Sequence, residues 1–356
     1  MALSVSAIVL AAGEGTRMRS SLPKPLHPLC GRPMVLHVIG ALRELRVDRV
    51  VVVVGHKADE VIKTVTELAP AEVQIEFVVQ EVQQGTGDAV AVALASMEAP
   101  LDDDDVVVVP GDTPLLQPSS LTRLVDLHRS SQSAATLLTA SLDDPSGYGR
   151  IVRSKDGRVI GVVEHGDATD AQRDIREVNT SIYCFRRSLL APALRRLSPS
   201  NAQGEYYLTD VVGVLSDAGH RLDSLILDDP AEVAGVNDRA QLASAEAVLR
   251  RRINDAWMRH GVTMQDPDST YVDVDVVLGH DVTLRPGVVL RGDTRIDDGC
   301  VLGPGCVLDD CQVGPAARLG MVTAERATIG EGAMIGSFVH LPLGASVPPN
   351  ARVETL

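Results

Sequence analysis

Residues 10–27 read LAAGEGTRMRSSLPKPLH, and they contain the end of an apolar strand followed by a turn with two glycines. Gly13 and Gly15 allow backbone N–H groups to come close to a ligand. Arg17 and Lys24 add fixed positive charge in the same segment. Backbone N–H groups and cations are what proteins place around phosphates. The segment therefore predicts a site for a nucleoside triphosphate.

Continuous runs of Val, Ile and Leu define the first half of the chain, at residues 7–10, 50–54 and 106–109. Such runs are typical of strands buried on both faces of a parallel sheet, and residues 33–45 between the first two have helical spacing. We therefore predict a doubly wound, Rossmann-like α/β domain. Ligands bind such sheets at the carboxyl ends of the strands, so the glycine turn and the GDTP motif at 111–114 are expected to face one crevice.

The C-terminal part of the chain has a different period. Residues 238–261 combine helix formers with apolar residues at helical spacing, which predicts a connecting helix that stops at Gly261. Beyond it, aliphatic residues recur at every sixth position: Val272, Leu278, Leu284, Leu290, Ile296, Leu302, Leu308, and later Ile329, Ile335, Leu341, Val347 and Val353. A triangular coil of short parallel strands can bury such a repeat, whereas a helix cannot. We expect an α/β domain at 1–237, the helix at 238–261 and a hexapeptide β-helix at 262–356.

Two details of the tail lead to further expectations. The repeat is interrupted between Leu308 and Ile329, and we expect residues 316–327, AARLGMVTAERA, to bulge out as a loop. Cys300 and Cys306 keep the same spacing two positions before the aliphatic series, which favours small stacked interior residues over a metal or redox pair. The five cysteines lack a CxxC pair, which favours reduced core thiols over disulfides or zinc.

Composition limits the classes of function. The formal net charge of -15 would repel a polyanion, so nucleic acid is not an expected partner. No apolar run approaches the roughly 18 residues of a membrane span. The apolar segment 1–13 lacks a basic flank and a cleavage site, so we expect a buried strand rather than a signal peptide, and a cytoplasmic protein. The acidic run 102–105 precedes a strand and is interpreted as a solvated surface turn rather than a metal cluster.

Several motifs occur in an order that resembles one known family: LAAGEGTRM, PKPLH, QQGTGDAV, GDTPLL, GYGRI, VVEHGDATDAQRDIREVNTSIY, NAQGEYYLTD and AGVNDRAQL. Each motif is weak alone, but the ordered set is specific and covers nearly the whole chain. The first 260 residues resemble the uridylyltransferase half of the bifunctional bacterial GlmU enzymes, which make UDP-N-acetylglucosamine. The tail resembles the start of their acetyltransferase half, a left-handed parallel β-helix.

The resemblance implies an Mg²⁺-dependent nucleotidyltransferase. An oxygen of N-acetylglucosamine 1-phosphate would attack the α-phosphorus of UTP and release pyrophosphate. Arg17 and Lys24 would be the catalytic residues, because they can bind phosphates and stabilise charge in the transition state. Asp112 and Asn237 would be the metal ligands, since Mg²⁺ prefers hard oxygen ligands and waters. An Asp after a strand can also simply cap a turn.

The resemblance further implies two sets of binding residues. The nucleotide would contact Leu10, Ala11, Ala12, Gly13, Gly15, Gln80, Gln83, Gly85 and Thr86. A glutamine amide pairs a donor with an acceptor, which suits the O4/N3–H edge of uracil. The sugar phosphate would contact Gly149, Glu164, Asn179, Tyr207 and Thr209. Glu164 and Asn179 can alternatively be strand-end caps.

The chain departs from the family pattern in its tail. Residues 341–344 read LPLG where the family often has LRPG, and the change removes an arginine that contacts the sugar phosphate. The sequence stops at Leu356, before the family's remaining acetyltransferase residues. We therefore expect no acetyltransferase activity. The tail would be structural and would mediate self-association, as in the family's trimers, although a shortened β-helix is also compatible with a monomer or dimer.

Smaller departures lie near the expected active site: Gln84 replaces a leucine, Asp88 a histidine, Pro110 a tyrosine or small residue, and Ser181 a glycine. Such changes can alter specificity, so another nucleotide, or another sugar or cyclitol phosphate, is an alternative substrate. A non-catalytic regulatory subunit is an alternative from a different class. Subunits of that kind usually lose the phosphate cations or the metal carboxylate, and this chain retains both.

Overall fold

The computed structural model describes residues 5–45, 47–97 and 104–354. The chain divides into two compact units, the first with Met1–His27 and Pro33–Leu242 and the second with Pro28–Arg32 and Ala243–Leu356. The short segment 28–32 therefore belongs to the C-terminal unit, although it comes early in the sequence. Within the described parts of the chain, no helix is long and apolar enough to cross a lipid bilayer.

The strands up to residue 226 are β1 (Val5–Ala11), β2 (Pro28–Leu29), β3 (Arg32–Pro33), β4 (Arg49–Val54), β5 (Ile75–Val79), β6 (Asp105–Pro110), β7 (Ala135–Ser141), β8 (Arg150–Arg153), β9 (Val159–Val163), β10 (Glu177–Arg186) and β11 (Leu222–Ile226). The helices are α1 (Met34–Glu44), α2 (Ala58–Leu68), α3 (Thr86–Ser96), α4 (Pro118–Ser131), α5 (Asp170–Arg173), α6 (Arg187–Leu194), α7 (Asp210–Asp217) and α8 (Arg239–Arg259). The predicted helices at 33–45 and 238–261 correspond to α1 and α8.

The first unit is built on one mixed sheet with the order β11-β7-β10-β6-β1-β4-β5, and β8 and β9 extend it from β10. The three apolar runs form the central strands β1, β4 and β6. Strand β1 pairs in parallel with β4 and β6, and Leu10 lies opposite Val53 and Pro110. One face of the sheet packs against α1, α2 and α4, and the other against α3, α6 and α7. The doubly wound α/β prediction is confirmed.

The carboxyl ends of β1 and β6 meet at one edge of the sheet. The N–H of Gly111 donates to the carbonyl of Leu10 at 2.9 Å, which joins the two turns directly. The N–H of Val236 donates to the carbonyl of Asp112 at 2.9 Å and brings a third segment to the same edge. Strand β10 runs antiparallel between β6 and β7, which the apolar runs did not indicate.

The second unit contains a left-handed β-helix. Its strands are β12 (Thr263–Met264), β13 (Tyr271–Val272), β14 (Val277–Leu278), β15 (Thr283–Leu284), β16 (Val289–Arg291), β17 (Arg295–Ile296), β18 (Val301–Leu302), β19 (Val307–Asp309), β20 (Gln312–Val313), β21 (Arg318–Leu319), β22 (Val322–Glu325), β23 (Thr328–Ile329), β24 (Met334–Ile335), β25 (Val339–His340), β26 (Ser346–Val347) and β27 (Arg352–Val353). Every third strand pairs in parallel, which gives three flat faces. The predicted aliphatic series fills the interior, where Leu284 and Leu290 are fully buried.

The expected loop at 316–327 is wrong, because the coil continues through it as β21 and β22. The interior positions there are Val313, Leu319, Ala324 and Ile329. Leu308 pairs with Ala324, so one full turn of the coil has 16 residues instead of the 18 that separate Leu290 from Leu308. Some successive interior residues are five positions apart instead of six, and a strict period of six therefore misses these strands.

The cysteines pack as the spacing predicted. The five cysteines are free and buried, and Cys300 and Cys306 lie in the interior of the β-helix with no exposed surface. Burial raises the pKa of Cys300 to about 11 and that of Cys306 to about 12. Neutral thiols of this kind act as small apolar side chains.

The acidic run 102–105 is only partly a surface feature. Asp102 and Asp103 lie outside the described residues. Asp105 begins β6 and is buried, so the interpretation as a solvated turn is wrong for this residue. Its carboxylate accepts from Nε of Arg129 at 2.8 Å and lies 3.4 Å from Nε2 of His128. Burial alone would raise the pKa of Asp105, but these two contacts outweigh it and the pKa is lowered.

This network makes a prediction about pH. Because the pKa of Asp105 is lower in the folded state, the ionised carboxylate stabilises the fold above its unfolded pKa of about 3.9, and this stabilisation is lost as the pH falls through the folded value. We expect Asp105→Asn to lower the free energy of unfolding at pH 7 by about 1 to 3 kcal/mol and to have less effect near pH 3. Urea titrations across this range measure it, with exposed Asp126→Asn as the control. A difference that stays constant with pH would contradict the prediction.

Candidate active site

The turn after β1 positions Lys24. Gly15 has a φ of +63°, and a Cβ built on it would lie 2.5 Å from Cβ of Lys24. The left-handed backbone and the close approach both require glycine here. The observed role of Gly15 is therefore to make room for the Lys24 side chain.

Lys24, Asp112, Asn237 and Arg17 form one cluster, the cation–oxygen cluster. The ammonium of Lys24 donates to the carboxylate of Asp112 and, at 2.8 Å, to Oδ1 of Asn237. The guanidinium of Arg17 donates to the same Oδ1 at 2.9 Å. The four predicted residues, which come from segments far apart in the chain, thus meet at one point.

This cluster fits a divalent cation. Asp112 and Asn237 present two hard oxygens that both contact the Lys24 ammonium, and Mg²⁺ is commonly held by one or two such ligands together with substrate phosphates and waters. Among the described residues, no group of three His, Cys, Asp or Glu side chains could hold a metal. Two protein oxygens beside two cations therefore suit a metal–phosphate complex better than a metal held by protein alone.

A cavity of about 430 Å³ opens beside the cluster. Most of the predicted nucleotide and metal residues line it: Leu10, Ala11, Ala12, Gly13, Lys24, Gln80, Gln83, Gly85, Thr86, Asp112 and Asn237, together with Asn179 from the predicted sugar set. Arg17 and Gly15 are not in its lining and reach the site through Asn237 and Lys24. The size is that of a small-molecule site.

Two glutamines and a glycine also line this cavity. Gly85 has a φ of +110°, and a Cβ on it would lie 2.6 Å from the carbonyl oxygen of Tyr206. Nε2 of Gln80 donates to Asp88 at 2.7 Å and to the carbonyl of Gly85 at 3.2 Å. Nε2 of Gln83 donates to the carbonyl of Ala12 at 2.8 Å. The Gln80 amide therefore offers the cavity its acceptor oxygen, not the donor and acceptor pair expected from the sequence.

A second cavity of about 260 Å³ contains Glu164, Tyr207 and Thr209 from the predicted sugar set. The hydroxyl of Thr209 donates to Glu164 at 3.0 Å. Burial raises the pKa of Glu164, and the hydrogen bond from Thr209 opposes part of this rise. Gly149 packs against Glu164 without lining the cavity, since a Cβ on it would lie 3.3 Å from Oε2.

Asn179 is buried and lines the first cavity. Its Nδ2 donates to the hydroxyl of Tyr183 at 2.7 Å, and its Oδ1 has no partner among the described residues. A buried acceptor of this kind costs free energy unless a ligand or water satisfies it. The role of Asn179 in binding the sugar phosphate stays a prediction.

Tyr148 and Glu205 line the cavities although sequence reasoning did not select them, and so does Ser181, which it noted only as a departure from the family pattern. Glu205 and Ser181 line both cavities, and Tyr148 lines the first. Burial raises the pKa of Tyr148, and the charge of Asp112 adds to this effect. Tyr148 and Glu205 belong to the motifs GYGRI and EYYLTD, which also contain predicted sugar-binding residues. Membership of these motifs was the only sequence signal that could have identified them as cavity residues.

Comparison with known proteins agrees with this geometry. The family model of the MobA-like NTP transferase domain matches residues 7–214, and the bacterial transferase hexapeptide model with six repeats matches residues 275–310. A bifunctional protein GlmU from Streptomyces avermitilis is 44% identical over 98% of this chain and 72% of its own length. A bifunctional protein GlmU from Shouchella clausii is 43% identical over 98% of this chain and 75% of its own length.

The chain belongs to the GlmU family. Its first unit is a nucleotidyltransferase domain. A solved structure of a putative glucose-1-phosphate thymidylyltransferase from Bacillus anthracis matches with a TM-score of 0.54 at 20% identity, over 69% of this chain and 95% of that chain, which supports the same fold. The expected resemblance to GlmU is therefore confirmed.

Ser181, which replaces the family's glycine, keeps a backbone shape typical of glycine. It lies where the register of β10 against β7 shifts, between Asn179 and Ile182, and its φ is +60°. A residue other than glycine in this conformation costs about 1 to 3 kcal/mol. This GlmU relative therefore keeps a strained, exposed hydroxyl between its two cavities.

We expect Ser181→Gly to raise the free energy of unfolding by about 0.5 to 1 kcal/mol, because relief of strain exceeds the greater chain entropy of glycine in the unfolded state. Urea unfolding measures the change. Ser181→Ala is the matched control, since it removes the hydroxyl and keeps the strain. A Ser181→Gly variant less stable than Ser181→Ala would contradict the assignment.

Proposed function

We propose that this chain transfers the UMP group of UTP to N-acetylglucosamine 1-phosphate, with Mg²⁺, giving UDP-N-acetylglucosamine and pyrophosphate. The observation that carries the proposal is the cation–oxygen cluster at the edge of a cavity lined by Leu10–Gly13. Two anionic substrates can meet there only if positive charge offsets their repulsion. Cations and metal-type oxygens stand together at that point.

The residues of the chain act by positioning and by charge. The turn after β1 would hold the triphosphate, and Lys24 and Arg17 would neutralise charge on the phosphates as the acceptor oxygen approaches the α-phosphorus in line. Asp112 and Asn237 would hold a divalent ion, which supplies further charge neutralisation and orients the phosphates. The chain needs no covalent nucleophile for such a displacement.

The second cavity is proposed to hold the acceptor sugar. Glu164 and Thr209 present a carboxylate and a hydroxyl there, and the free Oδ1 of Asn179 adds an acceptor nearby. Sugar hydroxyls donate readily to such oxygens. Ser181 and Glu205 line both cavities and would therefore lie near the bond that forms.

The β-helix is proposed to mediate self-association, as a trimer by resemblance to the family. Large apolar side chains remain exposed on this unit, among them Phe338 at 76% and Leu343 at 65%. Contiguous patches of exposed apolar side chains often mark protein–protein contact surfaces, which is the role proposed for this part of the β-helix. Cytoplasmic location stays a prediction.

We expect Asp112→Ala to lower the rate of pyrophosphate release at least about 100-fold with UTP, Mg²⁺ and N-acetylglucosamine 1-phosphate, because a key charge of the transition-state site is lost. The unfolding midpoint should change little. Asp217→Ala, at an exposed position on α7, is the control. Near-normal rates in Asp112→Ala would refute its metal role.

The same assay separates the alternatives. A panel of four nucleoside triphosphates against several sugar and cyclitol 1-phosphates would identify another substrate pair if one is preferred. Absence of turnover with every pair would support the regulatory-subunit alternative and reject the proposed enzyme.

We also propose that this chain does not transfer acetyl groups. Pro342 and Leu343 give its LPLG segment no cation to bind a sugar phosphate. No acetyl transfer is expected from acetyl-CoA to glucosamine 1-phosphate, measured as release of free thiol. A full-length GlmU relative is the positive control. Measurable transfer would overturn this part of the proposal.

A further inference from the structure

The Gln80 side chain is held at one end only. It is 5% exposed and lines the larger cavity. Its Nε2 donates to Oδ2 of Asp88 at 2.7 Å and to the carbonyl of Gly85 at 3.2 Å. Its Oε1 has no hydrogen-bond partner among the described residues. Both amide hydrogens are thus used by the protein, and the acceptor oxygen remains for a ligand.

The two partners fix which way the amide points. A carboxylate and a backbone carbonyl accept hydrogen bonds and cannot donate them. A rotated amide would place Oε1 against two oxygens and leave buried donors and acceptors unsatisfied, at a cost of about 1 to 3 kcal/mol. The orientation of the Gln80 amide therefore follows from the hydrogen-bonding chemistry of its two partners. The Gly85 carbonyl belongs to the backbone and remains in any variant. Of the two partners of the Gln80 amide, only Asp88 can therefore be removed by substitution.

Asp88 itself does not line the cavity and acts through Gln80. It lies in the first turn of α3, where a carboxylate also interacts favourably with the helix dipole. That general role does not require a contact with Gln80. The family resemblance places a histidine at this position, and an imidazole can either donate or accept. The carboxylate of this chain can only accept.

We propose that Asp88 is a positioning residue that sets base specificity by locking the Gln80 amide as a hydrogen-bond acceptor toward the nucleotide. The pocket would then select bases whose facing ring nitrogen carries a hydrogen, as in uracil and thymine. Cytosine presents a bare lone pair at the same ring position and would oppose Oε1. Gln83 is not locked in this way, because only one hydrogen bond, to the carbonyl of Ala12, engages its Nε2. The inference rests on the proposed function, which places a nucleotide in this cavity.

The test compares UTP with CTP in binding and in turnover. In Asp88→Ala the amide can rotate and donate to cytosine, so the ratio of affinities for UTP and CTP, and the ratio of their kcat/KM values, should fall about tenfold. TTP should change in parallel with UTP. Asp88→Asn can turn either its oxygen or its NH2 group toward Gln80, so it weakens the lock without removing the contact, and both ratios should fall by less than in Asp88→Ala.

Two controls separate the lock from a structural role. Asp59→Ala removes an exposed acid from the first turn of α2, so it reproduces the loss of helix-dipole stabilisation away from the cavity. It should leave both ratios unchanged. If Asp88→Ala does not fold, Asp88→Ser keeps a polar group in the first turn of α3 without the reach of a carboxylate and should give the same fall.

The outcomes distinguish this inference from the proposed function. Two outcomes would overturn the inference while leaving nucleotidyl transfer intact. One is an equal loss of affinity and of kcat/KM for UTP and CTP in Asp88→Ala, and the other is a wild-type chain that uses CTP as well as UTP. Base-selective binding that depends on Asp88 in a chain without turnover would support the inference and reject the proposed reaction. No binding of either nucleotide would overturn both.

Discussion

The contact on which the site depends is the ammonium of Lys24 between Asp112 and Asn237. These residues lie 88 and 213 positions away in the sequence, and a single charged group joins them. The ammonium can reach them because Gly15 has no side chain to displace its stem. Removal of that space would move the cation away from both oxygens. The first turn of the chain and its residues near 237 are therefore one functional unit.

The larger cavity is lined by groups of two chemical kinds. Lys24 supplies positive charge, whereas Gln80 presents an acceptor oxygen. A molecule with both anionic groups and N–H donors satisfies both. The second cavity adds the raised-pKa carboxyl of Glu164, and Ser181 lies where the two meet. The two cavities thus combine three kinds of polar recognition.

Sequence reasoning worked where the determinants are local. Val/Ile/Leu runs gave the central strands, helical spacing gave α1, and ordered motifs led to the residues that now meet at the sheet edge. It did not find the antiparallel β10, whose position depends on pairing between distant segments. The burial of Asp105 was missed for a similar reason, because its partners lie on α4. The orientation of the Gln80 amide depends on a carboxylate eight residues later, and no motif encodes it.

The shortened turns of the β-helix have a consequence for how its repeats are counted. Where a turn has 16 residues, Ala324 occupies an interior place that Leu308 fills one layer below. Val313, Ala324 and Ile329 each follow the preceding interior residue by five positions instead of six, so the shorter spacing accommodates small and large interior side chains alike. The hexapeptide model stops at residue 310, where the five-residue spacings begin, while parallel pairing continues to Val353. This coil therefore accommodates five-residue repeats among its six-residue ones, and a repeat count taken from a fixed period underestimates its height.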